Sequence, residues 1–225
     1  MIVKSLIAVL SLFSIILTAQ DWANLKRYAD DNQKLPSLMS NEKRVVFMGN
    51  SITEGWVKID PDFFKNKPYV GRGISGQTTP QMVLRFRQDV IDLKPAVVLI
   101  LAGTNDVAGN TGPMTPEQTL GNIMTMAELA KANNIKVVLC SILPAFDFKW
   151  RPGLEPAEKI YKLNQMIKEY ADKSGCGYVD YYSSMVDERK GLKKELGEDG
   201  VHPNLSGYKI MGPLAEAAIA KALQQ

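Results

Sequence analysis

Runs of apolar residues recur along the chain, and each is followed by a cluster of turn-forming residues. Five of these runs predict β-strands, at residues 44–48, 69–73, 96–102, 136–143 and 177–182. The run at 96–102 is apolar without alternation, which is typical of a strand covered by helices on both faces. Four of the five strands have this character, which indicates a parallel sheet enclosed between two layers of helices.

The segments between the strands repeat their apolar residues at helical spacing. One helix is predicted to follow the second strand, with Thr79 as its N-cap and Pro80 as its first residue. Residues 115–118, Thr-Pro-Glu-Gln, form a capping box that begins another helix. Further helices are predicted at residues 155–173 and from about Leu205 onwards. Strands that alternate with helices predict a flavodoxin-like α/β fold, a three-layer α/β/α sandwich with a five-stranded parallel sheet.

In such a fold, the turns that follow the strands share one edge of the sheet. Right-handed crossovers bring every strand-to-helix turn to the carboxyl ends of the strands, where α/β proteins bind their ligands. Ser51, Gly76 and Asn105 each follow a predicted strand. We therefore expect these three residues to line one rim.

The first nineteen residues have the pattern of a secretory signal peptide. Lys4 supplies a basic start, residues 6–17 form an apolar region, and Thr18 and Ala19 offer a cleavage edge. The apolar region is short for a membrane span and no cysteine follows it directly, so no stable membrane anchor is expected. The pattern predicts a secreted or periplasmic protein, with a short helix and linker at residues 20–43 and a single domain at 44–225.

Composition narrows the range of partners. The chain carries 27 basic and 24 acidic side chains, a net charge of +3, which becomes +2 when Lys4 is removed with the signal peptide. No basic run stands out, so a nucleic-acid partner is not expected.

The two cysteines raise the question of a disulfide. Cys140 lies within the fourth predicted strand and Cys176 precedes the start of the fifth, so in parallel strands they are offset by about four residues, roughly 13 Å at the rise of a strand. That separation is too large for a disulfide, so two free, buried thiols are predicted.

Two segments carry candidate chemistry, and each has a plain structural alternative. Ser51 lies where a strand gives way to a helix, and serines at such turns are mostly helix caps. His202 is the only histidine, and Asp199 precedes it across a glycine turn. The aspartate could fold back to accept the Nδ1 proton and leave Nε2 as a base. Alternatively, Asp199 and Asn204 are only turn and cap residues.

Taken in order along the chain, four short blocks show a resemblance. From about residue 44 to 208 the sequence resembles the SGNH (GDSL-like) hydrolase family. The blocks that carry the resemblance are Gly49-Asn50-Ser51 with Ile52-Thr53, Gly73-Ile74-Ser75-Gly76, Gly103-Thr104-Asn105-Asp106, and Asp199-Gly200-Val201-His202.

The resemblance implies a role for each block. Ser51 would be the nucleophile, His202 its general base and Asp199 the partner that orients the histidine. The backbone N–H groups of Ser51 and Gly76 and the side-chain amide of Asn105 would form the oxyanion hole, although Gly76 and Asn105 could be turn residues only. No metal or cofactor is implied.

One residue departs from the family pattern. Asn50 stands where the family usually has an aspartate. The amide oxygen can still accept a hydrogen bond, but it carries no charge. The departure puts electrostatic tuning of the site in doubt more than the reaction itself.

The resemblance implies a serine carboxylic-ester hydrolase, an esterase of the lipase/acylhydrolase type, that acts on small acyl esters; the signal-peptide pattern predicts that it is secreted or periplasmic. Polar loops with isolated aromatic residues suit a sugar face, which favours acetylated carbohydrate as the substrate; these residues are Trp56, Phe148 and Trp150. The alternatives are a lysophospholipase or phospholipid acetylhydrolase, and a catalytically silent carbohydrate-binding protein on the same fold. A flavodoxin-like phosphate binder is disfavoured because residues 49–55 lack the lysine of a P-loop. The sequence indicates neither the substrate-binding residues nor the oligomeric state.

Overall fold

The computed structural model describes residues 21–37, 39 and 42–224. The predicted signal peptide at residues 1–19 lies outside the described residues, and so does part of the predicted linker. No helix in the described part of the chain is long and apolar enough to cross a membrane.

Five parallel strands form one sheet in the order β2-β1-β3-β4-β5. Their bounds are β1 Val45–Gly49, β2 Tyr69–Gly73, β3 Val97–Leu101, β4 Lys136–Cys140 and β5 Gly177–Val179. All five predicted strands are present, but the last two end earlier than predicted. The fifth strand stops at Val179 because the Asp180 side chain accepts the Ser183 N–H and caps a short helix instead.

Nine α-helices connect or flank the strands within the described residues. Their bounds are α1 Ala29–Gln33, α2 Ser51–Ile59, α3 Pro61–Phe64, α4 Thr79–Asp89, α5 Thr104–Val107, α6 Pro116–Ala132, α7 Pro156–Ser174, α8 Tyr181–Met185 and α9 Leu205–Gln224. The capping box of α6 forms as predicted, with Thr115 as the N-cap. The predicted start of α4 is wrong by one residue: Thr78 is the N-cap, and its N–H donates to the Gln81 side chain at 3.0 Å.

The helices divide between the two faces of the sheet. Successive residues of β1 alternate between two hydrophobic cores, with Val46 and Met48 in one and Val45 and Phe47 in the other. Helices α4, α6 and α7 cover the first core, and α2, α3, α8 and α9 cover the second. Both faces of the sheet are therefore shielded from water, and the predicted three-layer α/β/α sandwich is confirmed.

The strand register aligns the carboxyl ends of the three strands that precede the candidate residues. Gly49 at the end of β1 pairs with Gly73 of β2 on one side and with Leu101 of β3 on the other. The loops that begin after these residues consequently leave the sheet at the same level. We refer to this edge, formed by the loops after β1, β2 and β3, as the rim.

The predicted set of isolated loop aromatics is wrong for two of its three members. Trp56 is 2% exposed and lies in α2, where its ring stacks on Phe63 with centroids 4.6 Å apart. Phe148 is fully buried in the core under its loop. Only Trp150 is exposed, at 43%.

Both cysteines are free, as predicted. Cys140 pairs in register with Val179, so the offset to Cys176 is three residues rather than four. Cys140 is buried, whereas Cys176 is only half-buried. Burial raises the pKa of the Cys140 thiol to about 12.

Candidate active site

Ser51 is the first residue of α2, directly after the turn that ends β1. Asn50 is the N-cap of this helix, and its Oδ1 accepts the N–H of Ile52 at 3.1 Å. Asn50 is buried, at 1% exposed, whereas Ser51 is half-buried. The residue that departs from the family pattern therefore keeps the hydrogen bond of a helix cap and loses only the charge.

Ser51 and His202 meet although 151 residues separate them in the sequence. The Oγ atom of Ser51 lies 2.8 Å from Nε2 of His202, within hydrogen-bond distance. His202 reaches the rim from the loop that precedes α9. This is the contact that a serine nucleophile needs with its base.

Asp199 holds the other side of the histidine ring. Its Oδ2 lies 2.6 Å from Nδ1 of His202, while its Oδ1 accepts the backbone N–H groups of Val201 at 2.9 Å and His202 at 2.8 Å. Gly200, at φ +80°, permits the tight turn between them. Desolvation raises the pKa of Asp199, but these hydrogen bonds outweigh it and hold the pKa below its usual value. An ionised Asp199 accepts a hydrogen bond from the Nδ1–H group, which leaves Nε2 as the acceptor that faces Ser51.

Gly76 and Asn105 lie on the two rim loops that flank Ser51. Gly76 has φ +77°, with open space beside its Cα. Asn105, in the first turn of α5, donates from Nδ2 to the Gln77 carbonyl at 2.9 Å, and its Oδ1 accepts from Asn110 at 3.1 Å. Because an amide nitrogen carries two N–H groups, the bond to Gln77 uses only one of them. The shared rim that the strand order predicts is thus formed by these two loops and the turn of Ser51.

Several side chains support the rim in a way that the sequence pattern did not predict. Asn110 donates to both the Gly76 carbonyl, at 3.2 Å, and Oδ1 of Asn105, so it joins the two flanking loops. Arg85 is completely buried and donates to the Gly49 carbonyl at 2.9 Å, to Asp89 at 2.9 Å and to the Gln77 side chain at 2.6 Å. In the sequence, Asn110 has the pattern of an ordinary loop residue, and Arg85 has that of a residue on the polar face of an amphipathic helix.

Two carboxylates form hydrogen bonds that hold the rim loops in place. Buried Asp106 accepts the N–H and the hydroxyl of Thr79, at 3.0 and 2.5 Å, which ties the start of α4 to α5; burial raises its pKa despite these bonds. Glu54 of α2 accepts the N–H and the hydroxyl of Ser75, at 2.8 and 2.5 Å, next to Gly76. Burial opposes ionisation of Glu54, but hydrogen bonds from Lys58 and Ser75 lower its pKa to about 2.

The loop between β4 and α7 overhangs the histidine. The indole ring of Trp150 lies 6.3 Å from the imidazole of His202, centroid to centroid, and its Nε1 donates to Oδ1 of Asn110 at 3.3 Å. The ring of Phe148 stacks on the indole at 4.9 Å. Among the described residues, no three histidine, cysteine, aspartate or glutamate side chains are grouped so that they could hold a metal ion.

The model of the GDSL-like lipase/acylhydrolase family matches residues 47–210. The crystal structure of a GDSL-like lipase from Bacteroides thetaiotaomicron VPI-5482 is similar, with a TM-score of 0.86 and 56% sequence identity over 89% of this chain and 98% of that one.

Two curated relatives are acetylxylan esterases. The one from Xylanibacter ruminicola is 26% identical over 83% of this chain, but the match spans only 45% of that protein. The one from Geobacillus stearothermophilus is 25% identical over 63% of this chain and 67% of that protein. This chain thus spans less than half the length of the first of these relatives.

The family match covers all four sequence blocks, and the fold agrees with that of the lipase structure. The chain therefore belongs to the GDSL-like lipase/acylhydrolase family of ester hydrolases.

Proposed function

We propose that the protein is a serine esterase that removes acetyl groups from carbohydrate by way of an acyl-enzyme. The observation that carries the proposal is the hydrogen-bonded chain from Ser51 Oγ to His202 Nε2, at 2.8 Å, and from His202 Nδ1 to Asp199 Oδ2, at 2.6 Å. A serine hydroxyl is a weak nucleophile until a neutral imidazole takes its proton. These two hydrogen bonds hold the imidazole of His202 in the required orientation.

The first half of the reaction transfers the acetyl group to the enzyme. Ser51 Oγ attacks the carbonyl carbon of the ester while His202 Nε2 takes the hydroxyl proton. The negative oxygen of the tetrahedral intermediate accepts hydrogen bonds from the N–H groups of Ser51 and Gly76 and from the Asn105 amide. When the intermediate collapses, the bond to the alcohol oxygen breaks and His202 donates its proton to that oxygen. The alcohol leaves, and acetyl-Ser51 remains.

The second half regenerates the enzyme. A water molecule loses a proton to His202 Nε2 and attacks the acetyl carbon, and the same donors stabilise the second oxyanion. The bond to Ser51 Oγ then breaks, His202 returns the proton to Oγ, and acetate leaves. Asp199 remains ionised throughout and stabilises the imidazolium that forms in each half.

Three considerations support the proposed substrate. The two acetylxylan esterases among the relatives suggest acetylated polysaccharide. An exposed aromatic residue, Trp150, also lies beside His202, with its ring centroid 6.3 Å from the imidazole. The predicted signal peptide at residues 1–19 suits an enzyme that acts on polymers outside the cytoplasm.

A substrate panel on the purified chain tests this proposal. Acetylated xylo-oligosaccharide, p-nitrophenyl acetate, p-nitrophenyl octanoate and palmitoyl lysophosphatidylcholine are compared by kcat/KM, with Ser51→Ala as the control. We expect release of acetate to exceed release of long chains, and Ser51→Ala to lower kcat by about 10³-fold or more. A preference for the long chains would favour the lysophospholipase alternative. Turnover no higher than that of Ser51→Ala would favour a silent carbohydrate-binding protein.

A further inference from the structure

Trp150 is an exposed aromatic residue that the structure holds in a fixed orientation. Phe148, fully buried, stacks beneath its ring with centroids 4.9 Å apart. The indole N–H is bonded to Asn110, and the next residue, Arg151, donates to the carbonyls of Ala108 and Gly109 at 2.9 and 2.5 Å. Because Phe148 covers one face of the indole, the exposed 43% of Trp150 belongs to the other face and the edges.

Trp150 lies where it can contact the alcohol portion of the substrate. In the proposed mechanism, His202 donates its proton to the oxygen of the leaving alcohol, so the alcohol portion of the ester must lie beside the imidazole. The indole ring is 6.3 Å from the imidazole, centroid to centroid. The carbonyl oxygen of the ester, in contrast, points to the proposed oxyanion donors at Ser51, Gly76 and Asn105. Trp150 is therefore placed to contact the alcohol.

The surroundings of Trp150 favour a sugar over a lipid. The other exposed large apolar residue of the described loop is Phe146, which packs under the guanidinium of Arg189 at 5.1 Å. Asn110 lies at the edge of the indole, and Lys149 donates to the backbone carbonyl of Glu198 at 3.4 Å. One rigid aromatic face with polar groups around it fits a ring that has both C–H faces and hydroxyl edges, whereas an acyl chain needs a continuous apolar surface.

We propose that Trp150 is the platform on which the pyranose ring of the leaving sugar stacks, and that this contact selects acetylated sugars over simple alkyl acetates. This inference rests on the proposed esterase function. The platform is also tied to the catalytic rim, because Asn110 joins the indole N–H to Asn105 and to the loop of Gly76. A stacked sugar would therefore be placed at a set distance from the oxyanion donors.

The kinetic test compares two acetate esters that differ only in the alcohol. The ratio of kcat/KM for acetylated xylotriose to kcat/KM for ethyl acetate is measured for wild type, Trp150→Ala, Trp150→Phe and Phe146→Ala. Loss of one stacking contact should lower the ratio about tenfold in Trp150→Ala. Trp150→Phe keeps an aromatic face and should retain most of the ratio. Phe146→Ala, an exposed aromatic of the same loop with its own contacts to Arg189, should leave the ratio unchanged.

Three kinetic outcomes would overturn the platform. The first is an unchanged ratio in Trp150→Ala. The second is an equal loss in Trp150→Phe, which would assign the effect to the hydrogen bond with Asn110. The third is a change in the preference between acetyl and octanoyl esters with no change in the sugar ratio, which would place Trp150 beside the acyl chain.

A binding measurement separates the platform from the proposed reaction. Calorimetric titration of acetylated xylotriose into Ser51→Ala, and into the Ser51→Ala, Trp150→Ala double variant, requires no turnover. We expect the Kd to rise about tenfold in the double variant. If wild type hydrolyses no ester but the Kd still rises, the platform stands and the proposed function fails. If wild type is active and the two Kd values are equal, the function stands and the platform fails.

Discussion

The amide of Asn105 is fixed at both of its ends. Its Nδ2 donates to the Gln77 carbonyl and its Oδ1 accepts from Asn110, so the flat amide group cannot rotate without breaking a bond. At 4% exposed, it has little water to replace these partners. Such a preset donor can stabilise a developing oxyanion without reorganising during the reaction.

Asn105→Ala should lower kcat by about 10²- to 10³-fold, because it removes one proposed oxyanion donor. It should also cost about 1–3 kcal/mol of unfolding free energy, since the Gln77 carbonyl loses its partner. Acetate release and thermal melting measure the two effects. Asn164→Ala is the matched control, because this buried amide likewise bonds the backbone N–H and carbonyl of Ile142. The control should lose comparable stability and keep its kcat; an unchanged kcat in Asn105→Ala would remove that residue from the oxyanion hole.

The hydrogen bonds to Asp199 lower its pKa, so we expect activity to be lost at a higher pH than the stability that Asp199 contributes. The pKa of this carboxyl lies below its ordinary value of 3.8, so its contribution to stability is complete above that value and disappears only as the pH falls through the lower folded-state pKa. In the proposed mechanism, protonation of His202 removes the base, because imidazolium cannot accept the Ser51 proton. The rate should therefore fall on acidification while the fold persists.

We expect kcat/KM for p-nitrophenyl acetate to fall by about tenfold or more between pH 8 and pH 5. Circular dichroism over the same range should show no loss of structure. A flat rate from pH 8 to pH 5 would contradict the role of His202.

Asp199→Asn should lower kcat by about 10³- to 10⁴-fold at pH 8, since the amide no longer orients and stabilises the imidazolium.

At the scale of elements, the rim depends on how closely helix α2 approaches strand β2. A Cβ atom on Gly73 would lie 2.2 Å from the backbone nitrogen of Glu54 and 2.6 Å from the backbone oxygen of Asn50. The end of β2 therefore packs directly on the first turn of α2, the turn that carries Ser51. The absence of a side chain at Gly73 allows Ser51 and the loop of Gly76 to share the rim.

Gly73→Ala should destabilise the protein by about 3 kcal/mol or more, because the clash is with backbone atoms that cannot turn aside. Gly121→Ala is the comparison, since Gly121 is exposed in α6 and a Cβ there would meet nothing within 4 Å. That change should stabilise the protein by about 0.5–1 kcal/mol. Chemical denaturation of both variants measures the difference. Equal stability of Gly73→Ala and wild type would show that the two elements can separate without cost.

For the molecule as a whole, stability depends on the two hydrophobic cores that enclose the sheet. Cys140 lies on β4 in the core covered by α2, α3, α8 and α9, and its side chain is 2% exposed. Burial raises its thiol pKa to about 12, so almost no thiolate, the reactive form, is present at neutral pH. Cys140 can react only when this core opens.

In the Cys176→Ser variant, a thiol reagent such as dithionitrobenzoate should therefore modify Cys140 only as fast as the protein unfolds. The rate should rise with denaturant in parallel with the unfolding rate measured by circular dichroism. In Cys140→Ala, the half-buried Cys176 should react faster under native conditions. Rapid labelling of Cys140 in the native protein would mean that this core opens locally without global unfolding.

The sequence by itself determined the order of strands and helices, the sandwich fold and, through the family resemblance, the five candidate site residues. Burial of a strand between two helical layers demands continuous apolar runs, and chain turns demand glycine, asparagine and cap residues, so these signals are local and readable. The signal peptide at residues 1–19 and its implied secretion remain predictions. Both β4 and β5 were predicted too long; β5 ends early because the cap at Asp180 competes with an apolar strand pattern.

Only the tertiary structure decided which distant groups touch. The 2.8 Å contact of Ser51 with His202 and the bonds of Asn110 to both rim loops depend on loops that the sheet brings together. Trp56 and Trp150 looked alike in sequence, yet one is 2% exposed and the other 43%. The physical reason is that side-chain burial is set by long-range packing, and an aromatic residue in a short segment carries no mark of which surface will cover it.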